Sequence, residues 1–170
     1  LPPDFDGSVY LDAGTTTAAI AHLLAQRPAG LRALEVVTHS MTVAHLLAGA
    51  PGLSLTAIGG RVRGLTAAAV GAQTVDAIAR LRPDIAFVGT NGLSPAFGLS
   101  TPDPDEAAVK RAVIAAARRI FVVADAEKFD AELLVSFGAL ADIDVLVSDA
   151  APRGELAEAL QSADAEVWLS

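Results

Sequence analysis

The residues best suited to chemistry in this 170-residue chain stand where short apolar runs end. Asp12-Ala13-Gly14-Thr15-Thr16-Thr17 closes the first such run with a glycine turn and three hydroxyls that open an amphipathic stretch. A helix starting there presents free backbone N–H groups, the positive end of its dipole and Thr hydroxyls, a combination suited to phosphate. The segment has neither a Walker lysine nor G-x-G-x-x-G spacing, which disfavours nucleoside triphosphates and dinucleotides. The same residues also suit an ordinary capped turn.

Three further run ends repeat the arrangement. Thr38-His39-Ser40 precedes a second amphipathic stretch, where His39 suits either a surface position beside a helix cap or a catalytic one. Gly59-Gly60-Arg61-Val62-Arg63-Gly64 combines glycines that admit close backbone approach with Arg61, a possible anion clamp; solvated arginines on a flexible loop fit equally well. Gly89-Thr90-Asn91-Gly92 leads into a Gly/Pro/Ser-rich stretch reaching Thr101, long for a connection within a strand–helix unit. Ten of the 12 basic residues are Arg, and the two lysines, Lys110 and Lys128, both lie near site-like groups. Lys110 follows Glu106 by four positions, the spacing of a helical ion pair worth ~0.2–0.5 kcal/mol. Lys128 follows Asp125 across a short turn that can aim both at one crevice, and a compact ammonium suits an anion there; a solvated surface lysine is the alternative for each.

Positioning these groups requires strands that alternate with helices. Strands are predicted at Ser8 to Asp12, Leu34 to Thr38, Leu53 to Ile58, Asp84 to Gly89, Ile120 to Asp125, Asp144 to Ser148 and Glu166 to Leu169. Helices are predicted at Thr16 to Gln26, Met41 to Leu47, Ala67 to Leu81, Asp105 to Arg119 and Arg153 to Ser162, with Asp103 or Asp105 capping the fourth. Ile85-Ala86-Phe87-Val88 and Ile120-Phe121-Val122-Val123 are apolar at consecutive positions, as strands covered on both faces are. The fold class is therefore α/β, a mostly parallel sheet flanked by helices. In such a sheet ligands settle beyond the carboxyl ends of the strands, where the four run ends lie.

No linker, repeat or composition shift divides the chain, so residues 1–170 are expected to form one domain. The net charge of −8 has the wrong sign for a surface that condenses onto a phosphate backbone. The absence of cysteine excludes disulfides, thiolate metal sites and cysteine nucleophiles. No apolar run approaches the ~18–20 residues of a membrane span, and the start lacks the features of a signal peptide. The chain reads as soluble and cytoplasmic, and Leu1-Pro2-Pro3 reads as the start of an excised fragment. No cofactor and no metal site are expected.

The motifs also form a series. Leu11-Asp12-Ala13-Gly14-Thr15-Thr16, Val37-Thr38-His39-Ser40, Gly59-Gly60, Val70-Gly71, Asp84 to Gly89, Gly98 to Thr101, Asp103, Glu106-Ala107, Val109 to Ala112, Ala124-Asp125 with Lys128-Phe129, and Ile143 to Asp149 follow in an order that resembles the C-terminal sensor domain of DeoR-type transcriptional repressors. Nearly the whole chain is covered. The resemblance implies a fold related to ribose-5-phosphate isomerase, glucosamine-6-phosphate deaminase and CoA transferases. It further implies a phosphorylated sugar or related metabolite as effector, and a homo-oligomer. DNA contact would come only through a winged helix-turn-helix upstream of Leu1. By the same resemblance the phosphate sits on Gly14, Thr15, Thr16 and Thr17. The sugar faces Asp12, Ser40, the loop Gly89-Thr90-Asn91-Gly92, Glu106, Lys110, Asp125 and Lys128; His39 and Arg61, from the reading of the residues themselves, complete the candidate effector-binding set. Two positions depart from the pattern: His39 stands where Asn is usual, and Val113 where Met is usual.

The rival reading on the same fold is a sugar-phosphate isomerase or deaminase, which needs a base beside the substrate carbonyl and commonly a His or second acid. Deaminases resemble one another in an Asp-Gly-His run after the fourth strand; here that loop reads Thr90-Asn91-Gly92-Leu93 and offers neither acid nor imidazole. Glu106 and Asp125 remain as candidate bases, and no catalytic residue is assigned.

Overall fold

The computed structural model describes residues 1, 5–26 and 34–170. In chain order the elements are β1 (Ser8–Leu11), α1 (Thr15–Ala25), β2 (Leu34–Thr38), α2 (Met41–Leu47), β3 (Leu53–Ala57), β4 (Arg61–Arg63), β5 (Ala68–Val70), α3 (Ala72–Ala79), β6 (Ile85–Gly89), β7 (Gly92–Ser94), β8 (Gly98–Thr101), α4 (Pro104–Ala116), β9 (Ile120–Val123), β10 (Val135–Gly138), β11 (Val145–Ser148), α5 (Gly154–Ser162) and β12 (Glu166–Leu169). Among the described residues, seven strands build a parallel sheet in the order β12-β11-β9-β6-β1-β2-β3. This is the predicted fold class.

Strand alternation divides the core. Val9 and Leu11 of β1 pack with Ala21 and Leu24 of α1 and with Val43 and Leu47 of α2. Tyr10, between them in sequence, points the other way into a larger core with Ile78 of α3, Val109 and Val113 of α4, and Leu156 and Leu160 of α5. Burying each such Leu or Val contributes roughly 1.5–3 kcal/mol. From β1 the chain moves to β2 and β3 on one side, then returns to β6 and continues outward on the other. The connections leaving β1 and β6 therefore diverge, and a crevice opens at their carboxyl ends.

Three regions differ from the sequence reading. The helix predicted over 67–81 begins only at Ala72, because Ala68–Val70 is a fully buried strand paired antiparallel with β4. Its ends are set by left-handed backbone at Ala67 (φ 49°) and Gly71 (φ 96°), and alanines alone do not distinguish buried strand from helix. The stretch expected as a loop to Thr101 holds the β7–β8 hairpin, which joins β10 in a three-stranded antiparallel sheet. The predicted fourth helix ends three residues early, at Ala116, where Ala117 turns extended. Asp103 rather than Asp105 caps it, accepting from the Glu106 N–H at 3.0 Å, with Pro104 in the first turn. No helix among the described residues is long and apolar enough to cross a membrane.

Candidate functional site

Between β1 and β6 lies a cleft of about 310 Å³ whose walls come from five segments distant in sequence. Its floor is the start of α1. Gly14 precedes the helix at φ 149° and offers no side chain to cap it, while the Thr17 hydroxyl turns back to the Gly14 carbonyl at 3.1 Å. The first-turn N–H groups have no intrahelical acceptor and sit at the positive end of the dipole. Gly14, Thr15, Thr16 and Thr17 all line the cleft.

Opposite them stands Lys110. It is buried, donates to the Gly89 carbonyl at 2.8 Å and forms an ion pair with Asp12 Oδ2, which also accepts the Gly89 N–H at 2.9 Å. Two of the three ammonium protons are thereby engaged by protein groups. Phe137 lies under the ammonium, 5.3 Å from its ring centroid. The i,i+4 pair expected between Glu106 and Lys110 does not form, because Lys110 turns inward to Asp12.

Behind Lys110 the polar chain continues. His39 Nε2 lies 3.6 Å from Asp12 Oδ1, and His39 Nδ1 is 2.7 Å from the Tyr10 hydroxyl. Burial lowers the His39 pKa to about 4, reinforced by the Lys110 charge and opposed by Asp12. Burial, with Asp12 adding to it, raises the Tyr10 pKa well above its ordinary value. Both rings are thus neutral at pH 7. With the Tyr10 hydroxyl donating to Nδ1, the remaining imidazole proton on Nε2 faces Asp12. Asp12 Oδ1 is buried and has no hydrogen-bond partner among the described residues.

The far wall carries Asp125 and Lys128, half-exposed at either end of a 3-10 turn, 3.7 Å apart. The rim carries Glu106 and, from the β4–β5 hairpin, Thr66, whose hydroxyl donates to Glu106 Oε1 at 2.7 Å. Arg63 of the same hairpin donates to the same oxygen at 3.1 Å and to Asp103 Oδ2 at 2.9 Å.

Of the residues singled out in the sequence, the cleft gathers Gly14, Thr15, Thr16, Thr17, Gly89, Asn91, Glu106, Lys110, Asp125 and Lys128. Asp12 and His39 form the layer behind Lys110. Ser40, Arg61 and Gly92 do not reach it. Ser40 is buried and caps α2, its hydroxyl accepting the Val43 N–H at 3.2 Å. Arg61 is exposed and pairs with Asp105. Gly92 is buried in β7, where a Cβ would stand 2.3 Å from the Ala131 carbonyl oxygen, so its glycine serves packing. Thr90, within the predicted Gly89 to Gly92 loop, also lines the cleft, whereas sequence reasoning missed Arg63 and Thr66. Arg63 was visible only as a neighbour of Arg61, and nothing local shows that the hairpin folds over the start of α4.

A family description, the DeoR C terminal sensor domain, matches residues 5–150. The chain is 32% identical over 147 residues to a glycerol-3-phosphate regulon repressor of Haemophilus influenzae, covering 86% of this chain and 56% of that protein. It is 30% identical over 145 residues to the protein of the same name in Escherichia coli K12, covering 85% and 56%. The chain thus spans little more than half the length of these curated relatives. A D-ribose-5-phosphate isomerase solved with phospho-erythronic acid superposes with a TM-score of 0.52 over 74% of this chain and 47% of its own, at 16% identity, a likeness of fold alone.

Proposed function

This chain belongs to the DeoR C-terminal sensor domain family, and from that membership we propose that its cleft binds the effector of a DNA-binding transcriptional repressor, a phosphorylated sugar or related small metabolite. The observation that carries this reading is the uncapped start of α1 opening into a cleft that also holds Lys110 and Lys128.

Charge balance in the cleft shapes the mechanism. Lys110 is matched by Asp12, Lys128 by Asp125 and Arg63 by Glu106 and Asp103. A phosphate monoester, carrying about −1.5 to −2 charge at pH 7, therefore meets no large excess of cationic side chains. Backbone amides of the α1 first turn supply directed donors with no desolvated counter-charge, and Lys128, whose partner is 3.7 Å away and half-exposed, can turn to the phosphate. The third proton of Lys110 serves the ligand's oxygens.

The same geometry favours sensing over turnover. Of the two candidate bases, Glu106 is held by Arg63 and Thr66 and is not free, whereas the Asp125 carboxylate is engaged, among the described residues, only by Lys128 at 3.7 Å. The case against turnover therefore rests on Glu106 and on the loop after β6, which supplies neither acid nor imidazole. In the full-length protein, effector binding would favour one arrangement of the upstream DNA-binding domains over another, and a homo-oligomer would give that change two-fold symmetry.

Glycerol 3-phosphate, ribose 5-phosphate and glucosamine 6-phosphate form the first ligand panel, the first because two relatives are named for the glycerol-3-phosphate regulon. At least one is expected to raise stability by about 2.7 kcal/mol at a hundredfold excess over its Kd, read by thermal unfolding. Lys128→Ala is expected to weaken that ligand about tenfold in calorimetric titration. A silent panel overturns the phosphorylated-ligand reading, and release of isomer or ammonia from a bound ligand overturns the sensor reading.

A further inference from the structure

Arg63 closes a ring across the lip of the cleft. Its Nε donates to Asp103 Oδ2 at 2.9 Å, its Nη1 donates to Glu106 Oε1 at 3.1 Å, and Asp103 Oδ1 in turn accepts the Glu106 backbone N–H at 3.0 Å. The guanidinium fork thus ties the N-cap of α4 to the side chain three residues on, and two dihedral-rich side chains are fixed by one planar group. Thr66 adds a second donor to Glu106 Oε1. The Glu106 and Asp103 side chains are only 13% and 21% exposed, so these contacts are weakly screened. The Asp103 carboxyl is held below the usual carboxylate range, chiefly by the Glu106 N–H, with Arg63 contributing and burial opposing.

Both donors converge on Oε1. What the Glu106 carboxylate offers to a molecule in the cleft is therefore the acceptor capacity of Oε2, held in one orientation by a ring that contains no part of the phosphate site. A fixed anionic acceptor has no use for a phosphate and a direct use for a hydroxyl. Resting on the proposed effector reading, we propose that Arg63 is a positioning residue for ligand selectivity. Through Glu106, the β4–β5 hairpin makes the cleft read a hydroxyl on the carbon skeleton, whereas the α1 amides read the phosphate. Arg63 itself contacts no ligand in this arrangement, and the cleft discriminates polyol phosphates from phosphates without hydroxyls.

The test separates the two halves of the cleft. Inorganic phosphate, propyl phosphate and the three sugar and polyol phosphates of the panel are titrated calorimetrically into the chain and into Arg63→Met. The variant is expected to bind the tightest hydroxylated ligand at least about tenfold more weakly, to bind inorganic phosphate within twofold of the parent, and to lose the preference over propyl phosphate. Glu106→Gln is expected to show the same pattern, and the double variant no further loss, as for two residues acting in one path. Arg63→Lys, which keeps the charge but not the fork, is expected to recover only part of the affinity. If Arg63→Met folds poorly, Thr66→Val, which removes one donor from Oε1, is expected to give a smaller loss in the same direction. Equal weakening of inorganic phosphate and the hydroxylated ligand overturns the inference by making Arg63 a phosphate contact, and unchanged affinity for both overturns it outright. Failure of the parent chain to bind any phosphate instead removes the effector reading on which the inference rests.

Discussion

Lys110 and Asp12 meet with their side chains 7% and 1% exposed, so their pairing is governed by desolvation as much as by attraction. Each is affordable in the interior only because the other is present and because Gly89 supplies both a donor to the carboxylate and an acceptor for the ammonium. Lys110→Met leaves Asp12 buried with its counter-charge gone, and is expected to destabilise the fold by about 3–5 kcal/mol in urea denaturation. Lys110→Met combined with Asp12→Leu is expected to recover most of that loss while abolishing effector binding; a single variant losing under about 1 kcal/mol would show that Asp12 is readily neutralised. At this scale the sequence is legible only where chemistry is local. Gly14 to Thr17 are recognisable because a glycine and hydroxyls follow an apolar run, and the turn linking Asp125 to Lys128 is equally local. Asp12 and Lys110 are 98 positions apart, and the local rule that pairs Lys110 with Glu106 is overridden by the stronger demand of a buried carboxylate.

Elements with a single strong signal are legible throughout. The consecutive apolar residues of β6, β9 and β11 appear as covered strands because they are covered, and Asp103-Pro104 marks the start of α4 by its capping chemistry. The small antiparallel pieces are not legible, since β4, β5, β7 and β8 run three or four residues each; β4 is only Arg-Val-Arg, and the other three carry Gly, Ala and Ser rather than alternating β-branched residues. Their sequences are set by contact instead. In β7, Gly92 lies where a Cβ would also meet the Leu133 side chain at 2.6 Å and Ser100 Oγ at 2.7 Å, and in β8 Gly98 adopts φ 69° with the Gly138 carbonyl oxygen 2.3 Å from any Cβ. Gly92→Ala is expected to lower stability by roughly 1–3 kcal/mol through overpacking. Because Gly92 stands outside the cleft, effector affinity in the folded fraction is expected to stay within twofold, as measured by thermal unfolding beside titration; a selective loss of affinity at unchanged stability would return Gly92 to the site.

For the molecule as a whole, the buried imidazole makes acid the vulnerable direction. His39 titrates near 4 in the folded chain against an ordinary value of about 6.5, so the unfolded chain binds the proton first. Its contribution is complete above about pH 6.5 and is lost as pH falls toward 4, roughly 3 kcal/mol in all. Asp84 and Asp103, both held low by backbone N–H donors, extend the decline below that range with the same sign. Unfolding free energies at pH 7, 5.5 and 4.5 are expected to fall steadily in the parent chain, and to fall less in His39→Asn, which has no proton to take up; parallel curves would mean that His39 is hydrated. A different whole-chain consequence follows from the place of β1. It lies inside the sheet between β2 and β6, and β6 begins only at Ile85. At about 5–20 residues per second, Asp12 waits some 5–20 s for Lys110 to leave the ribosome. β1 thus stays open on one side while some seventy further residues are made, and a nascent chain has no complete cleft until Lys128 has emerged.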